Sequence, residues 1–427
     1  MKTSYKLAFA AMLAAGLVGC SKEEPKPAAA PAAPAEPTVV VKIGHAGPLT
    51  GSIAHLGKDD ENGVALAVAQ TNAKKIKIGG KVLKLEMMSE DDQADPKVGT
   101  VVAQKMVDAK VAAVIGHLNS GVSIPASEVY NKAGIPMISG SATNPALTER
   151  GLKTVFRTVG RDDQQGPALA TYIASELKPK RVAIVHDKTA YGEGLAKEVE
   201  KTLKAAKVTI VANEQTTDKE TDFKAMLTKL KAKNPDVIFH GGMDATGGPM
   251  IKQARELGIK AVFAFGDGAC TNEMFKLAGD AAKGLVCSQA GLPAAAASKE
   301  FNDAFKAKFG DVKQYAPYFY DGALAVVEAM KKVDSVDPAK FGPELFNVSF
   351  TGATGKVEFD AKGDRKEAEI TIFEGKEGAI APIYIVKNGV STKFESAPAP
   401  APAAAAAPAA APAAPAAAPA KTDAPKK

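Results

Sequence analysis

The stretch VAAVIGHLNSGVSIPASEVYNKAGIPMISGSATNPALTER, residues 111–150, decides how the rest of the chain is read. Two apolar runs, Val111–Ile115 and Ile135–Ile138, each end in a cluster of small polar residues. The first cluster is Gly116-His117-Leu118-Asn119-Ser120-Gly121 and the second is Ser139-Gly140-Ser141-Ala142-Thr143-Asn144. A short β-type run, then a Ser/Thr/Asn/Gly turn, then a helical pattern reads as strand, loop and helix N-terminus. In an open parallel sheet such loops line the crevice beyond the carboxyl ends of the strands, where ligands bind. Free N–H groups at a helix start, with hydroxyls beside them, suit a small anion such as a carboxylate. Each cluster alone is equally well read as a helix cap; two on adjacent β-α units favour a site.

Working outward, the β-α rhythm begins at Val39–Ala46 and Lys81–Met88 and runs to Thr154–Thr158. A second series follows, with strands expected at Arg181–His186, Val208–Asn213, Asp236–Gly241, Ala261–Gly266 and Gly284–Ser288. Helical patterns lie between them at Gln165–Leu177, Gly192–Lys204, Asp222–Lys231 and Thr246–Leu257. Phe301–Lys332 is helical again, and Gly355–Phe359 and Pro382–Lys387 are expected as returning strands. This alternation predicts an α/β fold of two doubly wound parallel-sheet lobes. Lobe 1 is expected at 39–160 plus 291–367 and lobe 2 at 161–290 plus 368–395. The chain then crosses between them near 159–162, 289–293 and 365–369, which makes a hinge rather than a loose linker.

The ends are not fold. Lys2 and Lys6 precede the apolar run Leu7–Val18, so residues 1–19 read as a signal peptide. Pro25–Pro37 is an Ala/Pro spacer within 20–38, and Ala397–Ala420, inside a tail at 396–427, is entirely Ala and Pro. Such composition cannot bury a core and is expected to remain disordered, extended chain. The 54 Lys+Arg against 48 Asp+Glu give +6, and removing Lys2 and Lys6 leaves +4. That balance is too mild to argue for nucleic acid. Cys270 and Cys287 bracket a helical pattern at Asn272–Ala278; in an oxidising compartment they suggest a disulfide, with two buried thiols as the alternative.

Several motifs are missing. Gly44-His45-Ala46-Gly47 lacks the third glycine of a dinucleotide fingerprint, and no GxxxxGK[ST] loop or GxSxG elbow occurs. His45, His55, His117, His186 and His240 show no metal-ligand spacing. No cofactor, metal or enzymatic role is therefore expected.

Leu17-Val18-Gly19-Cys20 resembles a bacterial lipobox, which implies cleavage before Cys20 and lipidation of its thiol. From Val39 to about Lys387 the chain resembles the type I periplasmic solute-binding proteins, and within them the branched-chain amino-acid receptors of ABC importers. The residues that carry this are Val114–Leu118, Pro125–Tyr130, Ser141–Thr143, Leu147–Gly151, Arg157-Thr158, Asp163–Pro167 and Val185–Gly194. The resemblance implies that Ser120 and Thr143 hold a ligand α-carboxylate, with backbone groups of Asn119, Ser141 and Ala142 beside them. It places Tyr191 as the aromatic that closes over the ligand and Asp267 as the acid for the α-ammonium. That acid is usually Glu in the family, so Asp267 is one methylene short. Leu56 and Met243 stand where leucine receptors often carry tyrosines, and Tyr315 stands near a phenylalanine position, so the pocket wall is remodelled. The family's first-lobe disulfide is absent, Ala94 and Asn119 occupying its positions. The implied function is capture of an aliphatic or aromatic L-amino acid by a monomer, for delivery to a permease with cytoplasmic ATPases. The implied location is outside the cytoplasm, with the membrane touched only through the N-terminal lipid. Alternatives are a receptor for an amide, urea or small carboxylate, a ligand sensor, and an envelope protein without a ligand.

Overall fold

The computed structural model describes residues 36–394; the expected signal peptide, Cys20, most of the first spacer and the Ala/Pro tail lie outside the described residues. The first strand, β1 (Thr38–Gly47), leads into helix α1 (Ala54–Ala73). Then come β2 (Lys77–Ile78), β3 (Lys81–Asp91), α2 (Pro96–Asp108), β4 (Ala113–Gly116), α3 (Ser120–Lys132), β5 (Met137–Ser139), α4 (Ala146–Glu149) and β6 (Val155–Arg157). These strands form a six-stranded sheet in the order β2-β3-β1-β4-β5-β6, parallel except for the β2–β3 pair. Local chemistry sets the helix starts. Asp95 caps α2, its carboxylate accepting the N–H groups of Lys97 and Val98, and Pro96 takes the first helical position, where no N–H is needed.

The second series is α5 (Asp162–Tyr172), β7 (Arg181–His186), α6 (Ala190–Ala205), β8 (Thr209–Gln215), α7 (Lys224–Lys233), β9 (Val237–Gly241), α8 (Asp244–Glu256), β10 (Val262–Phe265), α9 (Glu273–Ala278) and β11 (Val286–Gln289). Thr189 caps α6 by accepting the Gly192 N–H at 2.9 Å. The chain then returns to the first sheet with α10 (Lys299–Phe309), α11 (Ala316–Lys332), α12 (Pro338–Glu344) and a hairpin, β12 (Ser349–Gly352) and β13 (Gly355–Glu358). Helix α11 lies against α1 so closely that a Cβ at Gly63 would meet the Ala316 carbonyl. A last passage reaches β14 (Ile370–Lys376), β15 (Ala379–Lys387) and β16 (Val390–Lys393).

The second sheet departs from the expected parallel form. Its order is β16-β15-β14-β11-β10-β9-β7-β8, parallel from β11 to β8 but antiparallel from β11 through β16. Loops of two residues join β14 to β15 and β15 to β16, and so short a connection permits only antiparallel pairing. Phe301–Lys332, read as one helical stretch, is two helices broken at 310–315.

The three passages between the sheets run side by side. The Gly160 N–H donates to the Ala290 carbonyl at 2.8 Å, Thr371 Oγ1 to the Gly291 carbonyl at 2.7 Å, and the Arg157 N–H to the Gly363 carbonyl at 2.9 Å. Next to them the fully buried Arg157 donates from Nε to Asp364 at 2.6 Å, and Arg161 reaches the same carboxylate at 2.7 Å. Asp364 is held below the usual carboxylate range: burial raises it, but Arg157, Arg161 and Thr148 outweigh that.

Cys270 and Cys287 form a disulfide with Cα atoms 5.3 Å apart, tying the segment after β10 to β11. Closing a loop of 17 residues' separation restricts the unfolded chain by about 3 kcal/mol. The Cys270→Ala/Cys287→Ala double variant is expected to fold, with its unfolding free energy lowered by about that amount. Urea titration followed by circular dichroism measures the difference.

Candidate functional site

Nearly every residue that lines the cavity between the sheets sits just past the carboxyl end of a strand. Leu118, Asn119 and Ser120 follow β4, and Ser141 follows β5. Tyr191 follows β7, Met243 follows β9, and Asp267 and Gly268 follow β10. Tyr315, immediately before α11, completes the wall. Parallel strands aim their carboxyl ends and the N-termini of the following helices at a common crevice, which explains why five strands deliver residues to one place.

One side of the cavity is hydroxyl-rich. Helix α3 begins at Ser120, so the positive end of its dipole stands at the cavity. Ser120 Oγ accepts the Asn144 N–H at 3.2 Å, which leaves its proton available, and Ser141 Oγ donates to the Leu118 carbonyl at 3.0 Å. The other side is built on Asp267, which is 1% exposed. Its Oδ1 accepts from Tyr191 Oη at 2.7 Å and Gln165 Nε2 at 3.0 Å, and its Oδ2 accepts from Tyr315 Oη at 2.8 Å. Gln314 Nε2 donates to the Asp267 carbonyl at 2.7 Å. Gln314 and Tyr315 are themselves positioned from α1, where Asp59 accepts the N–H groups of Lys313, Gln314 and Ala316. Asp267 therefore touches groups carried by both sheets.

The enclosed volume is about 10 Å³, room for roughly one water-sized sphere. Anything larger than a water molecule fits only if the walls move apart, and the contacts of Asp267 would then have to re-form. A carboxylate offers about four acceptor positions, and protein donors take three of these.

Of the ten residues expected to bind ligand, Asn119, Ser120, Ser141, Tyr191, Met243, Asp267 and Tyr315 line this cavity. The other three are set back from it. Ala142 has its N–H engaged by Ser139 Oγ at 3.0 Å and its carbonyl by Arg157 at 2.7 Å, so its backbone has partners already. Thr143 is fully buried, its hydroxyl without a hydrogen bond of normal geometry but close enough to Asp162 to hold that acid's rise in check. Leu56 packs into the main hydrophobic core. Gln165 and Gln314, which no motif singled out as ligands, prove to be partners of Asp267; Gln165 belongs to the Asp163–Pro167 signature, and that was the only signal. Three of the histidines are fully buried and held by structural partners. His45 Nδ1 faces the Ile115 carbonyl, His117 spans Asp92 and Tyr130, and His240 faces Thr246. Burial lowers His45 to about 4 and His240 to about 3.

A family profile described as "Periplasmic binding protein" matches residues 40–379. The chain belongs to that family. It is 36% identical over 345 residues to the leucine-, isoleucine-, valine-, threonine- and alanine-binding protein of Pseudomonas aeruginosa, covering 79% of this chain and 91% of the relative. It is 37% identical over 336 residues to the Leu/Ile/Val-binding protein of Escherichia coli, covering 78% and 90%. Among solved structures, a leucine binding protein from Thermotoga maritima aligns with a TM-score of 0.75 at 26% identity, covering 82% of this chain and 99% of that one. A branched-chain amino acid transporter substrate binding protein from Streptococcus pneumoniae, in complex with isoleucine, aligns with a TM-score of 0.74 at 29% identity, covering 82% and 100%. The periplasmic binding protein fold is thus the type I form, two lobes around a cleft. The family is one of transport receptors rather than enzymes. Among the described residues no helix is long and apolar enough to cross a membrane, and no group of His, Cys, Asp and Glu is placed to hold a metal ion.

Behind Asp267 lies a second acid. Asp162, the first residue of α5, is fully buried with both carboxylate oxygens unpartnered. Burial, and then the charge of Asp267, push its pKa well above the usual carboxylate range. Burial also raises Asp267, against the pull of Tyr191, Tyr315 and Gln165. For an acid raised in the native state, the native protein binds the proton more tightly than the unfolded chain. Its contribution is then fully present below the unfolded pKa and is lost as pH rises through the native one. Asp162→Asn removes that loss, so its stability advantage over the parent is expected to widen from pH 5 to pH 8, by at most about 1.4 kcal/mol per pH unit. Parallel urea titrations at the two pH values measure it, and a constant difference would contradict the assignment.

Proposed function

We propose that this chain is the ligand receptor of an ABC importer, taking an aliphatic or aromatic L-amino acid between its lobes as a monomer. One observation carries the reading. A buried carboxylate, Asp267, lies across a single cavity from Ser120, Ser141 and the N-terminus of α3. That arrangement suits a zwitterion, with its carboxylate toward the hydroxyls and helix dipole and its ammonium toward Asp267. The relatives that bind leucine, isoleucine and valine support the same class. Met243 and the Tyr191 and Tyr315 rings supply an apolar wall, and Met is the most adaptable of apolar side chains. Ser120 and Ser141 stand nearest the ligand carboxylate, with Asn119 beside them; Ala142 and Thr143 support that wall from behind, and Leu56 supports Met243's side. The lobes are divided at 159–162, 289–293 and 365–369, where the three passages act as the hinge. The Leu17–Cys20 motif anchors the mature chain by lipid at Cys20, outside the cytoplasm.

A second ligand class has one observation in its favour. Three acceptor positions of Asp267 are filled by Tyr191, Tyr315 and Gln165, which suits a neutral amide or a small carboxylate better than an ammonium. Isothermal titration with the twenty L-amino acids and with 4-methylpentanoate, which lacks the ammonium, separates the two. Binding of leucine, isoleucine or valine without binding of 4-methylpentanoate is expected. Asp267→Asn should then weaken leucine by about 2–5 kcal/mol, the penalty for stranding one side of a buried charge pair. Ser120→Ala should weaken it by about 1 kcal/mol. Retention of 4-methylpentanoate at leucine-like affinity would favour the second class. For the anchor, Cys20→Ala expressed in a bacterial host is expected to move the protein from the membrane fraction to the soluble extracytoplasmic fraction, scored by immunoblot.

A further inference from the structure

Just outside the cavity, the two halves of the molecule are joined by a pair of ionisable groups. His55 stands in the first turn of α1, and its Nε2 lies 2.8 Å from Asp244 Oδ2, at the first position of α8. The two residues are 189 apart in sequence, one on a helix packed against the first sheet and the other on a helix of the second. Their neighbours are Leu56 in the core and Met243 in the cavity wall, so the pair sits one residue outward from the apolar lining.

The two partners are held differently. Asp244 is fully buried, and Thr271 Oγ1 donates to the same Oδ2 at 2.6 Å. Thr271 directly follows Cys270, so the disulfide to β11 braces the acid from behind. The N-terminus of α8 adds the favourable end of a helix dipole, and Oδ1 of Asp244 has no partner. The His55 side chain keeps 23% exposure, so it can leave the acid and re-solvate when the cleft opens. The acid is thus a fixed socket and the imidazole a movable pin.

We propose that His55 and Asp244 form a closure latch, an ion pair across the mouth of the cleft that holds the lobes shut and sets how slowly a seated ligand leaves. The closure half stands on the geometry alone; the ligand half rests on the receptor reading above. The charged groups around the imidazole are Asp244 on α8 and Glu273 and Lys276 on α9. Burial lowers the imidazole, but Asp244 and Glu273 outweigh that burial and Lys276, and the net shift is upward from 6.5. The closed form therefore holds the proton more tightly than the open form, where His55 faces water. Closure gains most below the open-form pKa and loses that gain as pH rises through the closed-form one. The latch is strong in mildly acid surroundings and weak in alkaline ones.

The closing experiment reads lobe separation without ligand. Spin labels at Lys132→Cys on α3 and Lys201→Cys on α6, both exposed, report the distance by pulsed electron paramagnetic resonance. A closed population that falls between pH 6.0 and 8.5 is expected, and His55→Ala should remove that pH dependence. Asp244→Asn keeps a hydrogen-bonding partner but not the charge, and should also flatten the profile if it folds. With leucine bound, stopped-flow dissociation should quicken by about three- to tenfold for His55→Ala at pH 6.0 and change little at pH 8.5, the size expected of a part-exposed charged pair. Identical distance distributions in parent and His55→Ala at both pH values would overturn the latch. If leucine fails to bind while the ligand-free profile behaves as described, the receptor reading fails and the latch stands.

Discussion

The arrangement depends on one buried negative charge. A carboxylate removed from water is costly unless donors replace its hydration, and Asp267 has its donors supplied by Tyr191, Gln165 and Tyr315. Tyr191 and Gln165 sit on α6 and α5, which pack against the second sheet, while Tyr315 is carried by the segment that Asp59 of α1 pins in place. Separating the halves strips one donor from Asp267, so the charge itself favours closure. The same residue that would recognise a ligand is thereby also a structural bond between the lobes.

That bond is possible because both sheets point their carboxyl ends into the same cleft. Strands β4 and β5 bring the hydroxyls, and β7, β9 and β10 bring the aromatic, the methionine and the acid, each on the loop or at the first turn of the helix that follows its strand. Three parallel passages, locked together by hydrogen bonds such as Gly160 to Ala290 and Thr371 to Gly291, keep the two sets in register. Three bonded passages tie the two sheets together more firmly than a single linker would.

Most of the skeleton was legible because its signals are local. Arg181–His186 is a strand from end to end as expected, since a continuous apolar run bounded by turn residues has no other good reading. Pro96 marks its helix start for the same kind of reason. The strand Ile370–Lys376 was not recognised, although ITIF is strongly β-type, because Glu374, Gly375 and Lys376 broke the apolar pattern. What makes it a strand is the open edge of β11, a tertiary fact. At the site, residue types were readable and competition was not. Nothing in the order of residues says that Ser139 takes the Ala142 N–H, that Thr143 turns toward Asp162, or that two glutamines far apart meet at Asp267.

The neighbour of that charge shows what a buried acid costs when donors are missing. Asp162 lies close enough to Asp267 for that charge to oppose its ionisation, in addition to burial. Asp267 has three donors and Asp162 has none of normal geometry, so the cost of burial is offset at Asp267 and not at Asp162. Ionising Asp162 has to overcome both burial and the repulsion of Asp267. The hydrogen bonds from Tyr191, Tyr315 and Gln165 are thus what sets the cavity acid apart from its buried neighbour.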